Sequence, residues 1–306
     1  MLTFYKTVDS HITPLTGPEA GCWLNVVNPT EEEIHRLTGE FGIEQNLVRA
    51  ALDEEESSRI DQEGSHTLLI VDMPVAEKTE NSVSFSTIPM GIILTDTCIV
   101  TVCLKENTVM TEFAQGLVKN VQTAMKTRFV LIILLRLAAR FLLYLRQIDK
   151  VSNYIEKQLH GSLKNKELIQ LLDLEKSLVY FSTSLKANEI TLEKILRGRV
   201  IKLYEEDQEL LEDVLIEVKQ AIEMSNIYSS ILSGTMDAFA SVISNNLNNV
   251  MKILTSITVV LAIPTIVFSF YGMNTRLPFP YYWVPLAISA VGMAVTGFLL
   301  YRKKMF

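Results

Sequence analysis

The chain has 306 residues and a formal net charge of −7, and its 48% apolar content and mean hydropathy of +0.24 are high for a soluble protein of this size. All 35 acidic residues and 24 of the 28 basic residues lie within 1–252, so this part carries −11 and the remainder is basic. Nucleic-acid binding depends on neutralising phosphates with Lys and Arg, so the acidic front part argues against a nucleic-acid partner.

The three cysteines, Cys22, Cys98 and Cys103, cannot all pair with one another, and none of their spacings is CxxC. They are interpreted as buried, reduced thiols, which are typical of a cytoplasmic domain. The first residues lack a basic segment followed by a long apolar run, so no cleaved signal peptide is expected.

Residues 1–125 mix short β-rich runs with short helices and predict an α/β domain. Thr30 followed by Glu33 is a capping box that predicts a short helix through Arg36. Apolar runs separated by polar residues predict four strands: Leu68–Val71, Val83–Ile88, Met90–Leu94 and Cys98–Leu104.

From about Thr108 the apolar spacing becomes helical. Residues 129–145 form a long apolar run, but two arginines interrupt it and a third directly follows it, and a central arginine costs roughly 2.5 to 3.5 kcal/mol in a membrane. We therefore predict a helix buried among other helices, with Arg136, Arg140 and Arg146 in ion pairs. Residues 200–271 contain a single proline, Pro264, and predict one stalk helix that is about 100 Å long at 1.5 Å per residue.

Two uncharged runs, 253–275 and 277–301, each exceed the roughly 20 residues that a helix needs to cross a bilayer. The segment 274–283, where the two runs meet, forms a short link with two prolines and an aromatic cluster. The C-terminal end carries three positive charges at 302–304, whereas the link carries only Arg276. The positive-inside rule therefore places both termini in the cytoplasm. The expected domains are 1–125 (cytoplasmic α/β), 126–247 (helical region and stalk) and 248–306 (transmembrane, with spans at about 253–273 and 281–301).

One stripe of the first span is mostly small or polar and recurs at alternating steps of three and four residues. Its members are Asn248, Met251, Thr255, Thr258, Ala262, Thr265, Ser269 and Gly272. The stripe either lets helices pack closely or lines an ion path, and spacing alone leaves both interpretations open. Two spans per chain cannot enclose a path, so a pore requires several copies around an axis.

The first span ends in Tyr271-Gly272-Met273-Asn274. Here the sequence resembles the CorA family of magnesium channels, whose mark is a Gly-Met-Asn tripeptide at the outer end of the first of two C-terminal spans. The acidic α/β front, the long helix, the mid-span proline, the second span and the basic tail agree with the layout of that family.

The resemblance implies a funnel-shaped homopentamer that takes up Mg²⁺ across the cytoplasmic (inner) membrane and is gated by cytoplasmic Mg²⁺. Gly272, Met273 and Asn274 would form the ion entry site. Met251 and Leu254 would form the hydrophobic constriction at the cytoplasmic side. The pore-lining positions implied by the resemblance and the stripe are Asn248, Met251, Leu254, Thr255, Thr258, Ala262, Thr265 and Ser269. The loop departs from many family members because it carries Arg276 and no acidic residue.

Acidic residues are dense at the start of the predicted stalk helix, from Glu205 to Glu217. Family members hold regulatory Mg²⁺ between subunits through acidic residues, which implies a site formed by Glu212, Asp213 or Glu217 with Asp72 or Glu77 of a neighbouring copy. A charged helix face that only contacts solvent is the alternative.

Other functions stay open at this point. The same architecture could transport Zn²⁺, Co²⁺ or Ni²⁺, although Met273 in the tripeptide favours magnesium within the resemblance. A membrane-anchored enzyme or signalling scaffold is a different class. No HExxH, P-loop lysine or nucleophile elbow is found in the sequence, so the protein is not expected to be an enzyme.

Overall fold

The structure is a computed structural model that describes residues 1–9, 11–79, 82–161, 165–198, 201–273 and 281–303. The chain divides into two compact units, Met1–Gly234 and Thr235–Phe306. The three-part division expected from the sequence stays a prediction.

The first unit contains a sheet of seven strands in the order β2-β1-β3-β7-β6-β5-β4. Strands β3 and β7 are parallel neighbours, and the other paired strands that the structure describes are antiparallel. The strands are β1 (Leu2–Val8), β2 (His11–Leu15), β3 (Trp23–Val27), β4 (Arg59–Glu63), β5 (His66–Thr79), β6 (Ser82–Leu94) and β7 (Ile99–Cys103). Every residue of β7 is buried, as expected for an apolar strand that is covered on both faces.

Each predicted strand is present, but the bounds differ. Leu68–Val71 is part of the longer β5, and β7 excludes the predicted end residues Cys98 and Leu104. Val83–Ile88 and Met90–Leu94 belong to one strand, β6, which continues through Pro89. Strand β7 ends its pairing opposite Met90, so at Pro89 the strand has a neighbour on one side only. A residue without an N–H group is tolerated at such a position.

Two short helices, α1 (Glu31–Phe41) and α2 (Gln45–Ala50), cover one face of the sheet. The predicted capping box is present, because the Thr30 hydroxyl accepts from the Glu33 amide and the Glu33 carboxylate accepts from the Thr30 amide. The helix extends beyond the predicted Arg36 to Phe41. It ends at Gly42, whose φ of 67° is a left-handed conformation that favours glycine.

The opposite face of the sheet carries α3 (Thr108–Ala114), α4 (Lys126–Gly161) and α5 (Asn165–Arg197). The Trp23 ring of β3 packs edge-on against Phe113 of α3 and Phe129 of α4, at centroid distances of 6.3 and 5.5 Å. These rings are fully buried, so α4 is a core helix of the first unit, as predicted.

The arginines of α4 differ from the prediction. Arg140 forms a partly buried ion pair with Glu112, as expected. Arg136 and Arg146 are exposed and form no ion pair with the residues that the structure describes. Their side chains reach solvent because both positions lie outside the apolar stripe that faces the sheet.

Helix α6 runs from Glu205 to Tyr271 and contains Pro264, which confirms the predicted long helix. Helix α7 runs from Trp283 to Arg302. Among the described residues, α6 and α7 are the two helices long and apolar enough to span a membrane.

Candidate ion pathway and regulatory site

The predicted pore stripe lies on the membrane segment of α6. In the single chain all of its members are exposed, and so is Leu254. The stripe comprises Asn248, Met251, Thr255, Thr258, Ala262, Thr265, Ser269 and Gly272. Helix α7 therefore leaves this face of α6 uncovered.

A different face of α6 contacts α7. Ser256 is fully buried, and Val260, Ile263 and Val267 are half-buried. On α7, Gly292 lies so close to Ile263 that an added Cβ would be 2.7 Å from the Ile263 Cγ2 atom. At about 100° per residue, this face and the stripe lie on roughly opposite sides of the helix.

Two hydroxyl groups of the stripe are held by the helix itself. Thr258 Oγ1 donates to the Leu254 carbonyl at 2.8 Å, and Thr265 Oγ1 donates to the Leu261 carbonyl at 3.3 Å. These bonds satisfy the donors and leave oxygen lone pairs free to accept. The stripe therefore presents hydrogen-bond acceptors along an otherwise apolar helix.

The predicted entry site begins where α6 ends. The Gly272 amide donates to the Phe268 carbonyl at 2.9 Å, and the Met273 amide donates to the Phe270 carbonyl at 3.4 Å, which is a tightened last turn. A Cβ at Gly272 would lie 3.3 Å from the Phe268 oxygen, so the position has little room for a side chain. Asn274 and the loop residue Arg276 lie outside the described residues.

The predicted regulatory acids of α6 face solvent. Glu212 and Asp213 are exposed and Glu217 is half-buried. Glu212 accepts a long hydrogen bond of 3.4 Å from Gln208. The described residues of one chain contain no group of three or more His, Cys, Asp or Glu side chains that could hold a metal ion.

The two front-domain candidates differ in their surroundings. Asp72 on β5 is half-buried, and burial raises the pKa of its carboxyl, although the nearby hydroxyl groups of Ser184 and Ser58 favour the charged form. Glu77 is exposed and pairs with Lys105 at 2.6 Å, so its charge is already compensated.

Sequence reasoning missed the side chain that joins Asp72 to α5. The Asn188 amide accepts from the Asp72 backbone N–H and donates to the Asp72 carbonyl, both at 2.9 Å. The Ser58 hydroxyl donates to the same amide oxygen at 2.8 Å. A polar residue within the buried stripe of α5 was the available signal.

Similarity to known proteins agrees with this geometry. The family model described as CorA-like Mg²⁺ transporter protein matches residues 18–303. The cobalt/magnesium transport protein CorA of Methanocaldococcus jannaschii is 27% identical over 299 residues, which are 92% of this chain and 90% of that protein. The protein of the same name from Thermotoga maritima is 23% identical over 319 residues, which are 98% of this chain and 87% of that protein.

The complete structure of the CorA magnesium transporter from Methanocaldococcus jannaschii has the same fold. It aligns with 100% of this chain and 99% of its own, with a TM-score of 0.85 and 22% sequence identity. Because the family model covers nearly the whole length, the chain belongs to the CorA-like Mg²⁺ transporter family.

Proposed function

We propose that several copies of this chain form a Mg²⁺ channel in the cytoplasmic (inner) membrane, with both termini in the cytoplasm, and that the stripe on α6 lines the path. The observation that carries the proposal is the arrangement of the two spans. The stripe lies on the side of α6 away from α7, and it leads to Gly272 and Met273 at the end of the helix. Apolar residues such as Ile257 and Ile266 are also uncovered, and the small and polar side chains of the stripe distinguish it from them.

Several copies are required because two helices cannot surround a path. Family resemblance favours five. In such an assembly α6 of each copy would face the axis and α7 would lie outside it, in contact with lipid. Native mass spectrometry of the purified chain should give a pentamer, and a monomer would contradict the proposal.

The oxygen chemistry of the stripe suits a hydrated ion. Mg²⁺ is small and gives up its water reluctantly, so amide and carbonyl oxygens at the entrance can bind the water shell without removing it. Asn274 side chains and Gly272 carbonyls would form the entrance. The hydroxyl oxygens of Thr258, Thr265 and Ser269 would then accept hydrogen bonds from the waters of the passing ion.

A closed state needs an apolar constriction. Met251 and Leu254 lie one turn apart on the same face of α6 and would form such a constriction near the cytoplasmic side, where an apolar ring excludes water and ions. Both side chains are more than half exposed in the single chain, at 51% and 56%.

Co²⁺ is the second candidate cargo because both curated relatives are named cobalt/magnesium transport proteins. Oxygen ligands suit the hard ion Mg²⁺, whereas cobalt binds more readily to nitrogen and sulfur ligands. Mg²⁺ is therefore proposed as the main cargo, and Co²⁺ as a competing ion.

Regulation by cytoplasmic Mg²⁺ is part of the proposal. Glu212, Asp213 and Glu217 are accessible, and Asp72 of a neighbouring copy would complete the ligand set, with Asp72 favoured over the paired Glu77. Bound Mg²⁺ would offset the repulsion among carboxylates and favour the closed state. Asp213 and Met251 belong to one continuous helix, which gives the signal a covalent route.

Ion flux through the purified full-length chain in liposomes tests the function. Liposomes loaded with a Mg²⁺-sensitive dye should show influx when Mg²⁺ is added outside, and added Co²⁺ should slow it. Empty liposomes are the control. A membrane-anchored scaffold or enzyme would give no influx above that control, which would overturn the proposal.

A further inference from the structure

Two of the three cysteines are neighbours in the sheet. Cys22 and Cys98 directly precede β3 and β7, and the first residues of these parallel strands, Trp23 and Ile99, are register partners. The Ile99 amide donates to the Cys22 carbonyl at 3.2 Å. Cys22 and Cys98 therefore stand side by side, and both belong to the buried cluster under α1 and α2.

Their separation suits a covalent bond. Neighbouring strands lie about 4.8 Å apart. Cystine residues usually have their Cα atoms about 4.4 to 6.8 Å apart. Register partners on neighbouring strands point to the same face of the sheet, so both side chains lie on the side that carries the buried cluster.

The surroundings of Cys98 favour its thiolate. The Thr95 hydroxyl lies 3.3 Å from the Cys98 sulfur, and Lys126 at the start of α4 donates to the Thr95 and Asp96 carbonyls at 2.7 and 2.9 Å. The neighbouring Cys22 thiol, the Thr95 and Thr97 hydroxyl groups and the Lys126 charge lower the pKa of Cys98 despite its burial. Cys22 has a raised pKa, because it shares its proton with Cys98.

Cys103 provides an internal comparison. It lies five residues after Cys98, on the opposite face of β7, and burial alone raises its pKa to about 12. All three thiols are at most 1% exposed in the folded chain, so Cys103 is a buried reference for Cys98.

We propose that Cys22 and Cys98 form a reversible dithiol–disulfide pair that is oxidised by a small uncharged peroxide. The Cys98 thiolate attacks one peroxide oxygen and becomes a sulfenic acid, and the O–O bond breaks to release hydroxide. The Cys22 sulfur then attacks the Cys98 sulfur, and the sulfenic oxygen leaves as water with the proton from Cys22. In sum, two thiols and one hydrogen peroxide give one disulfide and two waters.

Burial determines which oxidant reacts. A peroxide is small and neutral, so it can enter through local opening at the beginnings of the two strands. The preceding residue Gly21 has a φ of 75°, and its amide donates to the Thr97 carbonyl at 2.8 Å. This backbone link holds the two strand ends, and with them the two cysteines, next to each other. The pair does not depend on ion transport.

The purified full-length chain, treated with hydrogen peroxide, alkylated and digested, tests the proposal by mass spectrometry. The expected product is a Cys22–Cys98 linked peptide from a chain that is two hydrogens lighter, while Cys103 stays alkylated. Dithiothreitol should reverse the change. Cys98 should react at least about ten-fold faster than Cys103, because the thiolate is the reactive form.

Variants separate the steps. Cys103→Ser should give the same linked peptide, whereas Cys22→Ser should stop at a sulfenic acid on Cys98, which dimedone traps. Peroxide treatment of the unmodified chain tests the proposal even if a variant fails to fold. Equal oxidation of Cys103 and Cys98, conversion of Cys98 to sulfinic acid without a linked peptide, or no reaction at any cysteine would each overturn the proposal.

Discussion

Ile263 on α6 and Gly292 on α7 meet so closely that a Cβ added to Gly292 would lie 2.7 Å from the Ile263 Cγ2 atom. The two spans pack through this contact, on the face of α6 that carries the half-buried Val260 and Val267. The contact leaves the polar stripe on the other side of α6 uncovered. The absence of a side chain at position 292 is therefore a condition for the orientation of α6.

Gly292→Ala should destabilise the membrane unit by about 1 to 3 kcal/mol, the usual cost of overpacking. Gly297→Ala is the matched control, because a Cβ there meets no atom within 4 Å. Thermal unfolding in detergent should show a lower midpoint for the first variant only. The double variant Gly292→Ala with Ile263→Ala should recover part of the loss, and equal midpoints for the two single variants would exclude the contact.

Asn274→Ala should reduce Mg²⁺ flux to the level of empty liposomes. The variant removes the amide oxygens proposed to bind the hydrated ion and changes nothing in the first unit. Asn153→Ala, at an exposed position on α4, is the control and should transport normally. Size-exclusion profiles should be the same for both variants, and near-normal flux through Asn274→Ala would remove this residue from the entry site.

Asp72 should make the stability of the first unit pH-dependent. Burial raises the pKa of its carboxyl in the folded chain, so the folded state keeps the proton to a higher pH than the unfolded state. The free energy of unfolding should therefore fall as the pH rises from the ordinary Asp pKa through the raised value. Unfolding of the chain and of Asp72→Asn across this range checks the sign, because the variant should lack this decrease. If the free energy of unfolding instead rises with pH in the chain but not in Asp72→Asn, polar contacts of the Asp72 carboxylate outweigh its burial.

The regulatory acids are tested by neutralising Glu212, Asp213 and Glu217 together to Gln, Asn and Gln. The triple variant should lose protection from protease by Mg²⁺ and should stay open at internal Mg²⁺ levels that close the parent. Neutralising Glu205, Glu209 and Glu223, three exposed acids on the same helix, is the control for charge alone. Retention of both responses by the triple variant would indicate that the cluster only contacts solvent.

Local signals in the sequence were sufficient to predict many of the helices and strands. The capping box at Thr30 and Glu33, the apolar run of β7 and the long helix α6 depend on residues close together in the chain. Continuation of β6 through Pro89 was not predictable in this way, because it depends on where β7 ends. The contact of Cys22 with Cys98 depends on the pairing of β3 with β7, and no local pattern encodes pairing between such distant strands.

The candidate site, too, was predicted from the sequence only where it depends on residues close together in the chain. The three- and four-residue steps predicted which α6 residues share a stripe, and the structure adds which face contacts α7. The Asn188 contacts with Asp72 were missed because they join α5 to a strand far away in the sequence. The role of Asn274 stays a prediction from the tripeptide.

Blocking of flux by a thiol reagent at single cysteines tests the central claim, that the α6 stripe lines the ion path. The native cysteines are at most 1% exposed, so the charged reagent should not react with them. Thr265→Cys lies on the stripe, and Val267→Cys, two residues away, lies on the face toward α7. A small, positively charged, water-soluble thiol reagent should stop Mg²⁺ influx through liposomes containing Thr265→Cys and leave influx through Val267→Cys unchanged. Equal block of both variants, or block of Val267→Cys alone, would contradict the assignment of the stripe to the pore.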